Sequence, residues 1–303
     1  MKIGFIGLGA MGRPMATNLL TAGYEVHAFD VVEAAVQEMV SKGAVGHTSA
    51  GEMAGYVDVI ICSLPNAKIV EGTMCGKNGV FENCKEGTII IDMSSVAPNT
   101  TKGMAKKAAE KGIHYIDAPV SGGVSGAAAG TLTIMVGADD ETFNKVKPIF
   151  DVLGKNIYHV GEAGGGDAIK MVNNLLLGCN MAALAEALTL GVKCGLSVET
   201  MKEVISVSSG RSYALDAKLE KFIMAGQFNG GFAVDLQYKD LGLALEASRD
   251  EKVPLPMTAA AVQVYEMARA KGQGREDMSS VVKVWEDLTG AKIHGEADSQ
   301  KGA

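Results

Sequence analysis

A glycine-rich hexapeptide near the start of the chain separates a short apolar run from a stretch with helical periodicity. The run at residues 2–6 has the β-branched character of a strand, the hexapeptide is Gly7-Leu8-Gly9-Ala10-Met11-Gly12, and the helical pattern covers residues 11–22. Between a strand and a helix, G-x-G-x-x-G permits a tight turn, a close approach of backbone to a pyrophosphate and close helix packing. The alternative is a glycine-rich turn without a ligand, and the next strand discriminates between the two.

That second predicted strand, at residues 24–29, ends at an acidic side chain. Asp30 lies 18 residues after Gly12, about the spacing at which a carboxylate accepts hydrogen bonds from the ribose hydroxyls of a bound dinucleotide and repels a 2′-phosphate. The next basic residue is Lys42, too far along to clamp such a phosphate. We therefore expect NAD, rather than NADP, as cofactor, with contacts from Gly7, Leu8, Gly9, Ala10, Met11, Gly12 and Asp30.

The first half of the chain alternates apolar runs with helical stretches. Strands are predicted at residues 2–6, 24–29, 57–63, 88–92, 114–116 and 131–136, and several are continuously apolar, as in a parallel sheet covered on both faces. After residues 161–166 almost everything is helical, beginning with one long apolar helix over about 167–193. We predict an α/β, Rossmann-type doubly wound, mostly parallel sheet over 1–163, an all-α domain over 164–292 built on a long interdomain helix, and a flexible tail over 293–303.

Composition narrows the class of protein. The 303 residues include 28 Lys plus Arg against 35 Asp plus Glu, a formal charge of −7, which argues against a basic nucleic-acid-binding domain. The five cysteines contain no C-x-x-C pair, and the five histidines show no ligand spacing, so neither a disulfide framework nor a metal site is expected.

Location and assembly follow from the apolar segments. The amino terminus lacks the apolar core of a signal peptide, and the apolar stretch at 175–196 carries Asn180, Glu186 and Lys193, which are costly inside a membrane. We expect a cytoplasmic protein with no membrane or nucleic-acid partner. Its Ala- and Met-rich helices, including residues 259–270, favour a homodimer or homotetramer.

Several further candidates follow predicted strands or open the long helix. Leu64 and Pro65 follow one strand and Ser95 another, at the edge where open parallel sheets bind ligands, although plain strand-ending turns would have the same residues. Ser121, Gly122 and Gly123 offer a hydroxyl and two unhindered amides to a carboxylate. Lys170 and Asn174 are four apart and share one helix face.

Lys170 has two interpretations. A lysine on an apolar helix either extends its ammonium group to solvent or is retained inside for chemistry. Its place after three glycines and beside the predicted domain boundary favours chemistry.

Four segments together resemble the 3-hydroxyacid dehydrogenase family. They are GFIGLGAMGRPMATNL, DAPVSGG, GGGDAIKMVNN and FAVDLQYKDLGLALE, in the family's order and at similar spacing, and the resemblance spans residues 1 to about 290. It implies a Rossmann domain followed by a helical domain, and oxidation of a hydroxyl β to a carboxylate. One departure is Ser95, where the family usually has threonine; the hydroxyl is retained.

The resemblance also implies roles for particular residues. Ser121, Gly122 and Gly123 would hold the substrate carboxylate, Lys170 would be the general acid/base, and Asn174 would position the substrate. Lys239 would lie near the nicotinamide. Leu64, Pro65 and Ser95 would contact the cofactor.

Comparison within the wider superfamily narrows the reaction. The similar 6-phosphogluconate dehydrogenases carry a histidine three residues after the catalytic lysine and a glutamate seven residues after it, where this chain has Asn173 and Leu177. We therefore expect oxidation without decarboxylation. Imine reductases of related fold often lack the lysine, so Lys170 favours alcohol and aldehyde chemistry.

The substrate is the least determined property. The runs KMVNNLLLGCNMAALAEALTLGVKCGL and SSGRSYALDAKLEKFIMAGQF resemble family members that interconvert 2-formylglutarate and 2-(hydroxymethyl)glutarate. A dicarboxylate needs a second cation, for which Arg211 is a candidate; the alternative is a surface arginine in a turn. Tartronate semialdehyde and 3-hydroxyisobutyrate are alternative substrates. A non-catalytic dinucleotide-binding sensor or scaffold is the alternative from another class, and Lys170 and Lys239 disfavour it.

Overall fold

Strands and helices alternate through the first half of the molecule, and helices fill the second half. The computed structural model describes residues 1–295. The strands are β1 (Lys2–Ile6), β2 (Glu25–Phe29), β3 (Val45–Gly46), β4 (Val59–Cys62), β5 (Ile89–Asp92), β6 (His114–Asp117), β7 (Val120–Ser121), β8 (Leu132–Val136) and β9 (Gly154–His159).

The helices fall into two sets. Those between the strands are α1 (Gly12–Thr21), α2 (Glu33–Ser41), α3 (Ala50–Ala54), α4 (Ala67–Cys75), α5 (Val80–Asn83), α6 (Pro98–Ala109), α7 (Gly123–Ala129) and α8 (Asp140–Leu153). Those that follow are α9 (Gly165–Lys193), α10 (Val198–Ile205), α11 (Tyr213–Lys218), a π-helical turn (Leu219–Met224), α12 (Val234–Asp250), α13 (Pro256–Ala270), a 3₁₀ turn (Met278–Val281) and α14 (Val282–Thr289).

Six parallel strands form the main sheet, in the order β3-β2-β1-β4-β5-β6. Chain order reverses between β1 and β4, the switch point at which a doubly wound sheet opens a ligand crevice. The strands are in register, so that Ile6, Cys62, Asp92 and Asp117 pair across the carboxyl edge. The predicted Rossmann-type architecture is confirmed.

Burial on both faces explains the continuous apolar strands. Ile89 and Ile91 of β5 pack into one core cluster, whereas Ile90 packs into the other on the opposite face. Alternate side chains of a strand point to opposite faces, so a strand covered on both sides needs apolar residues at every position.

A second, three-stranded sheet has the order β7-β8-β9. Strand β7 pairs antiparallel to β8, and β9 pairs parallel to it. Neither β7 nor β9 is predicted from the sequence, because β7 has two residues and β9 (GKNIYH) is mostly polar and solvent-facing.

The chain divides into two compact units between Met171 and Val172, eight residues beyond the expected 163/164 boundary. The first turns of α9 belong to the first unit because Asp167 is bonded there: its Oδ2 accepts a hydrogen bond from Thr101 Oγ1 at 2.6 Å and its Oδ1 one from the Val96 amide at 3.3 Å. The regular elements in the described part of the second unit are helices, apart from one isolated bridge between Ala233 and Asp277.

Helix α9 is long and apolar enough to cross a membrane by length and composition: it has 29 residues and contains an 18-residue window with a mean hydropathy of 1.7. Met181, Ala185 and Leu188 on one of its faces are fully buried in the core of the second unit. Leu176 and Leu190 are exposed. The burial of Met181, Ala185 and Leu188 is that of a core helix in a globular domain.

Two expectations about the second unit need correction. The tail does not begin at 293: Ile293 is 3% exposed, and its amide donates a hydrogen bond to Glu286 Oε1; the rest of that predicted tail, 296–303, lies outside the described residues. The apolar surface expected of residues 259–270 is mostly internal, because α13 buries a face that includes Val262, Val264 and Tyr265.

Candidate active site

The geometry of the turn at the end of β1 depends on its glycines. Gly7 has φ = +92°, and a Cβ there would overlap the Ser63 carbonyl oxygen. A Cβ on Gly12 would overlap the Gly7 carbonyl oxygen, whereas one on Gly9 would meet nothing within 4 Å. The turn is therefore tight on the protein side and open at Gly9, which fits a bound pyrophosphate. Leu8, Ala10 and Met11 complete the loop.

Asp30 lies directly after β2, beside this loop. Its Oδ2 accepts a hydrogen bond from the Leu8 amide at 2.6 Å, and its Oδ1 accepts one from the Val32 amide at 2.8 Å. The carboxylate is thus fixed at the carboxyl edge of the sheet. The next side chain, Val31, is 91% exposed.

The structure brings the other predicted cofactor contacts to the same edge. Leu64 and Pro65 follow β4, which is adjacent to β1, and Ser95 follows β5, which is adjacent to β4. The Leu64 amide donates to Ser94 Oγ at 2.9 Å, which joins the two loops. Three neighbouring strand ends therefore present the predicted cofactor residues together.

The predicted carboxylate-binding loop is accessible. Ser121 ends β7 and is half-buried, and Gly122 and Gly123 are exposed. Their φ angles are +132° and +63°, a region that favours glycine.

Lys170 is half-buried on α9, in the second turn of the helix. The three glycines before it make room for protein rather than for a ligand. A Cβ on Gly165 would lie 2.9 Å from the Val160 carbonyl oxygen, and one on Gly166 would overlap the Met135 carbonyl oxygen. These glycines therefore allow the start of α9 to pack closely within the first unit.

Three buried carboxylates lie in the first unit near the start of α9. Asp92 and Asp117 are completely buried and Asp167 is 1% exposed. Asp117 Oδ1 accepts a hydrogen bond from the Gly164 amide, and its Oδ2 one from the Asp167 amide, both at 2.7 Å. Asp92 accepts from Tyr115 Oη at 2.6 Å.

Burial raises the pKa of two of these carboxyl groups and of the neighbouring tyrosine. Desolvation raises the pKa of Asp117 to about 6, against the opposing effect of its two backbone hydrogen bonds. Desolvation, followed by the charge of Asp117, raises the pKa of Asp167 well above its ordinary value. Desolvation also raises the pKa of Tyr115.

In the second unit, two residues of helix α12 form hydrogen bonds with Asn174. The Asn174 Nδ2 donates to Asp240 Oδ2, and the Gln237 Nε2 donates to the Asn174 carbonyl oxygen at 2.9 Å. Asp240 also lies 3.2 Å from the Lys239 ammonium. One buried carboxylate therefore contacts both residues that the family resemblance singles out in this unit.

Arg211 lies on the surface of the second unit. Its side chain is 61% exposed and its Nε lies 2.9 Å from Asp216 Oδ2. This pairing matches the surface-arginine alternative; its role toward a substrate stays a prediction.

Sequence reasoning missed Asp117, Asp167 and Asp240. All three lie inside the motifs DAPVSGG, GGGDAIK and QYKD, in which the serine, glycines and lysines are the more recognisable ligand-binding or reactive residue types. An acidic residue in the first turn of a helix, such as Asp167, is a recognisable signal of helix-end stabilisation. Within residues 1–295, no group of three or more His, Cys, Asp or Glu side chains has a geometry that could hold a metal ion.

Known proteins resemble this chain along nearly its whole length. The profile of the NAD-binding domain of 6-phosphogluconate dehydrogenase matches residues 2–161, and that described as NAD-binding of NADP-dependent 3-hydroxyisobutyrate dehydrogenase matches residues 164–285. The 2-(hydroxymethyl)glutarate dehydrogenase of Eubacterium barkeri is 63% identical over 295 residues, 97% of this chain and 98% of that protein. The NAD-dependent L-serine dehydrogenase of Pseudomonas aeruginosa is 40% identical, covering 95% and 99%.

A solved structure of a protein from the same group is also similar to this chain. The 3-hydroxyisobutyrate dehydrogenase of Mycobacterium tuberculosis, determined with L-serine, superimposes with a TM-score of 0.86 at 33% identity, covering 93% of this chain and 98% of that one.

Proposed function

This chain belongs to the 3-hydroxyacid dehydrogenase family of NAD(P)-dependent oxidoreductases, and we propose that its substrate pair is 2-(hydroxymethyl)glutarate and 2-formylglutarate. The observation that carries the substrate is the 63% identity, over nearly the full length of both chains, to an enzyme named for the first of these compounds. Tartronate semialdehyde and 3-hydroxyisobutyrate remain the alternatives. Family membership leaves the non-catalytic sensor or scaffold without support.

Lys170 is the proposed general acid/base. When bound, the nicotinamide cofactor accepts a hydride in the oxidative direction and supplies one in the reductive direction. In oxidation the neutral Lys170 Nζ takes the proton of the substrate hydroxyl; in reduction the ammonium form returns a proton to the carbonyl oxygen. Proton transfer and hydride transfer thus balance at the same carbon–oxygen bond.

Binding and orientation are assigned to the remaining residues. Ser121, Gly122 and Gly123 bind the carboxylate common to all β-hydroxy acids. Asn174 positions the substrate, and its amide is oriented by Asp240. Lys239 is assigned to the nicotinamide end of the cofactor, and the loop at residues 7–12 with Leu64, Pro65 and Ser95 is assigned to the rest of it.

NAD is the proposed cofactor rather than NADP. The support is Asp30, whose carboxylate lies at the end of β2 beside the phosphate-binding loop, where a 2′-phosphate would meet negative charge.

The proposed assembly is a homodimer or homotetramer in the cytoplasm. Exposed apolar side chains of the second unit support it: Leu190 is 67% exposed, Val207 is 88% exposed and Met257 is 73% exposed. The five cysteines form no disulfide, which suits a reducing compartment. Sedimentation velocity gives the number of subunits.

A parallel assay tests the substrate. NADH consumption is followed with 2-formylglutarate, tartronate semialdehyde, methylmalonate semialdehyde and succinate semialdehyde, and kcat/KM is compared. We expect 2-formylglutarate to exceed the others by at least about tenfold, the effect of one well-placed charged contact. A higher kcat/KM for tartronate semialdehyde or methylmalonate semialdehyde would transfer the assignment to that substrate.

A separate experiment tests whether Arg211 binds the second carboxylate of 2-formylglutarate. If Arg211 binds it, Arg211→Met raises KM for 2-formylglutarate by about 10- to 100-fold, the value of a charged hydrogen-bonded pair, and leaves KM for methylmalonate semialdehyde, which has one carboxylate, unchanged. Equal KM values for the dicarboxylate before and after substitution would show that Arg211 serves only its pair with Asp216.

A further inference from the structure

The helix that carries Lys170 begins with an unfavourable sequence. Gly164 precedes it, and Gly165 and Gly166 form its first residues. Glycine is among the poorest helix formers because it loses the most backbone entropy. The first amides of any helix also lack partners within the helix. The start of α9 therefore needs stabilisation from elsewhere in the fold.

Asp117, at the end of β6, supplies that stabilisation. Each oxygen of its carboxylate accepts one backbone hydrogen bond, from Gly164 and from Asp167, at 2.7 Å. A negative group at this end also complements the helix dipole. The cap comes from a strand 50 residues earlier in the chain, which ties the first turn of α9 to the sheet.

The surrounding residues are arranged around this carboxylate. A Cβ on Gly137 would overlap Asp117 Oδ1, and a Cβ on Gly166 would lie 2.9 Å from Asp117 Oδ2. On its other side, the first turn of α9 is held through Asp167, which accepts hydrogen bonds from the Val96 amide and the Thr101 hydroxyl. The first turn is thus fixed to β6 and to the start of α6.

Lys170 lies one turn beyond Asp167 on the same helix. We propose that Asp117 is a positioning residue for catalysis, which caps the amino-terminal turn of α9 and thereby fixes the position from which Lys170 exchanges its proton. The inference rests on the proposed role of Lys170. It differs from an ordinary helix cap in its consequence: loss of Asp117 reduces turnover through Lys170, in addition to reducing stability.

Asp117→Asn is the primary variant. Asparagine keeps the size of the side chain but places an NH₂ group against one of the two backbone amides, so one of the two hydrogen bonds is lost. With the best substrate of the aldehyde panel, kcat is expected to fall about 10- to 100-fold, as small misplacements of a reacting group do. The dissociation constant of NADH, from fluorescence titration, is expected to stay within twofold.

Asp139→Asn is the matched control. Asp139 caps α8 in the same unit, with its Oδ1 accepting from the Thr142 amide at 2.9 Å and its Oδ2 from the Thr142 hydroxyl at 2.7 Å. Its replacement is expected to lower Tm and leave kcat within twofold. If Asp117→Asn also lowered Tm and left kcat within twofold, its role would be structural only and the inference would be overturned.

A double-mutant cycle tests the route of the effect. If Asp117 acts through Lys170, adding Asp117→Asn to Lys170→Met leaves the residual rate within twofold, because the group being positioned is already gone. A further fall of 10-fold or more would overturn the inference. Wild-type turnover in Lys170→Met alone would instead overturn the proposed function, and with it this inference.

Asp167→Asn provides a second variant in case Asp117→Asn does not fold. Its remaining carbonyl oxygen can accept the Val96 amide, so the substitution is milder, and the same fall in kcat with unchanged NADH affinity is expected. Unchanged kcat in this variant would count against the inference.

Discussion

Three aspartates of the first unit differ in chemistry because their surroundings differ. Asp30 is half-buried and fixed by two backbone amides beside the glycine-rich loop at residues 7–12. Asp117 makes similar bonds in full burial, and desolvation raises its pKa to about 6. Asp139 is exposed, and hydrogen bonds from Thr142 lower its pKa. Burial thus raises the pKa of Asp117, whereas hydrogen bonds lower that of the exposed Asp139.

The preference for NADH over NADPH is expected to depend on one residue, Asp30. Asp30→Asn removes the charge that repels a 2′-phosphate and weakens hydrogen bonding to the ribose. The ratio of kcat/KM for NADPH to that for NADH is expected to rise at least about tenfold, equivalent to about 1.4 kcal/mol. Initial rates with both cofactors measure it.

Asp58→Asn is the control for this substitution. Asp58 accepts a hydrogen bond from the Lys2 amide at 2.8 Å at the amino end of the sheet, away from the cofactor edge. Its replacement is expected to leave the cofactor ratio unchanged. An unchanged ratio in Asp30→Asn as well would refute the assignment of NAD specificity to Asp30.

At the scale of elements, the sequence predicts those strands whose burial requires an apolar residue at nearly every position. The central strands β1, β4 and β5 are apolar at nearly every position because both faces are covered, and that pattern is visible without a structure. Strands β3 and β7 have two residues each, too few to establish a period. Their formation depends on pairing with β2 and β8, which local sequence does not encode.

The residues of the candidate site also divide into those that the sequence predicts and those that it does not. The glycine loop, Asp30, Ser121 and Lys170 are recognisable because their residue types suit a ligand or a reaction. Asp117 and Asp240 are not recognisable, since each acts on a partner more than 40 residues away. Such contacts become visible only when the fold brings distant elements together.

A buried ion pair in the second unit gives a stability prediction for the elements it joins. Lys218 at the end of α11 donates to Asp277 Oδ2 at 2.6 Å, and Asp277 is fully buried. Asp277→Ala leaves a buried ammonium group and two backbone amides, of Phe232 and Ser279, without their acceptor. The free energy of unfolding is expected to fall by about 3–5 kcal/mol.

Lys218→Met is the comparison for that variant. The carboxylate of Asp277 then keeps its hydrogen bonds from Phe232 and Ser279, so the loss is expected to be smaller. Urea denaturation measures both free energies. A loss in Lys218→Met equal to or larger than that in Asp277→Ala would contradict this account of the pair.

For the whole molecule, the buried carboxylate of Asp117 predicts a pH dependence of stability. Its pKa of about 6 in the folded protein exceeds the ordinary value of 3.8, so the folded state binds the proton more tightly than the unfolded state does. Its contribution therefore destabilises the fold as pH rises from about 4 to about 6, by about 3 kcal/mol in total.

Asp117→Asn removes this contribution. The free energy of unfolding of the variant, relative to that of the wild type, is expected to improve between pH 4.5 and pH 7, because only the wild type must ionise the buried group. Urea denaturation at the two pH values measures the difference. A difference that is constant, or that worsens as pH rises, would show that Asp117 does not titrate as described.

The central claim for the whole molecule is that Lys170 exchanges the proton when the substrate exchanges its hydride. The most direct test is turnover of Lys170→Met at saturating NADH and 2-formylglutarate, together with NADH affinity by fluorescence titration. We predict a fall in kcat of about 10²- to 10⁴-fold, the contribution of a general acid/base, with the NADH dissociation constant within twofold of wild type. Turnover close to that of the wild type would contradict the claim.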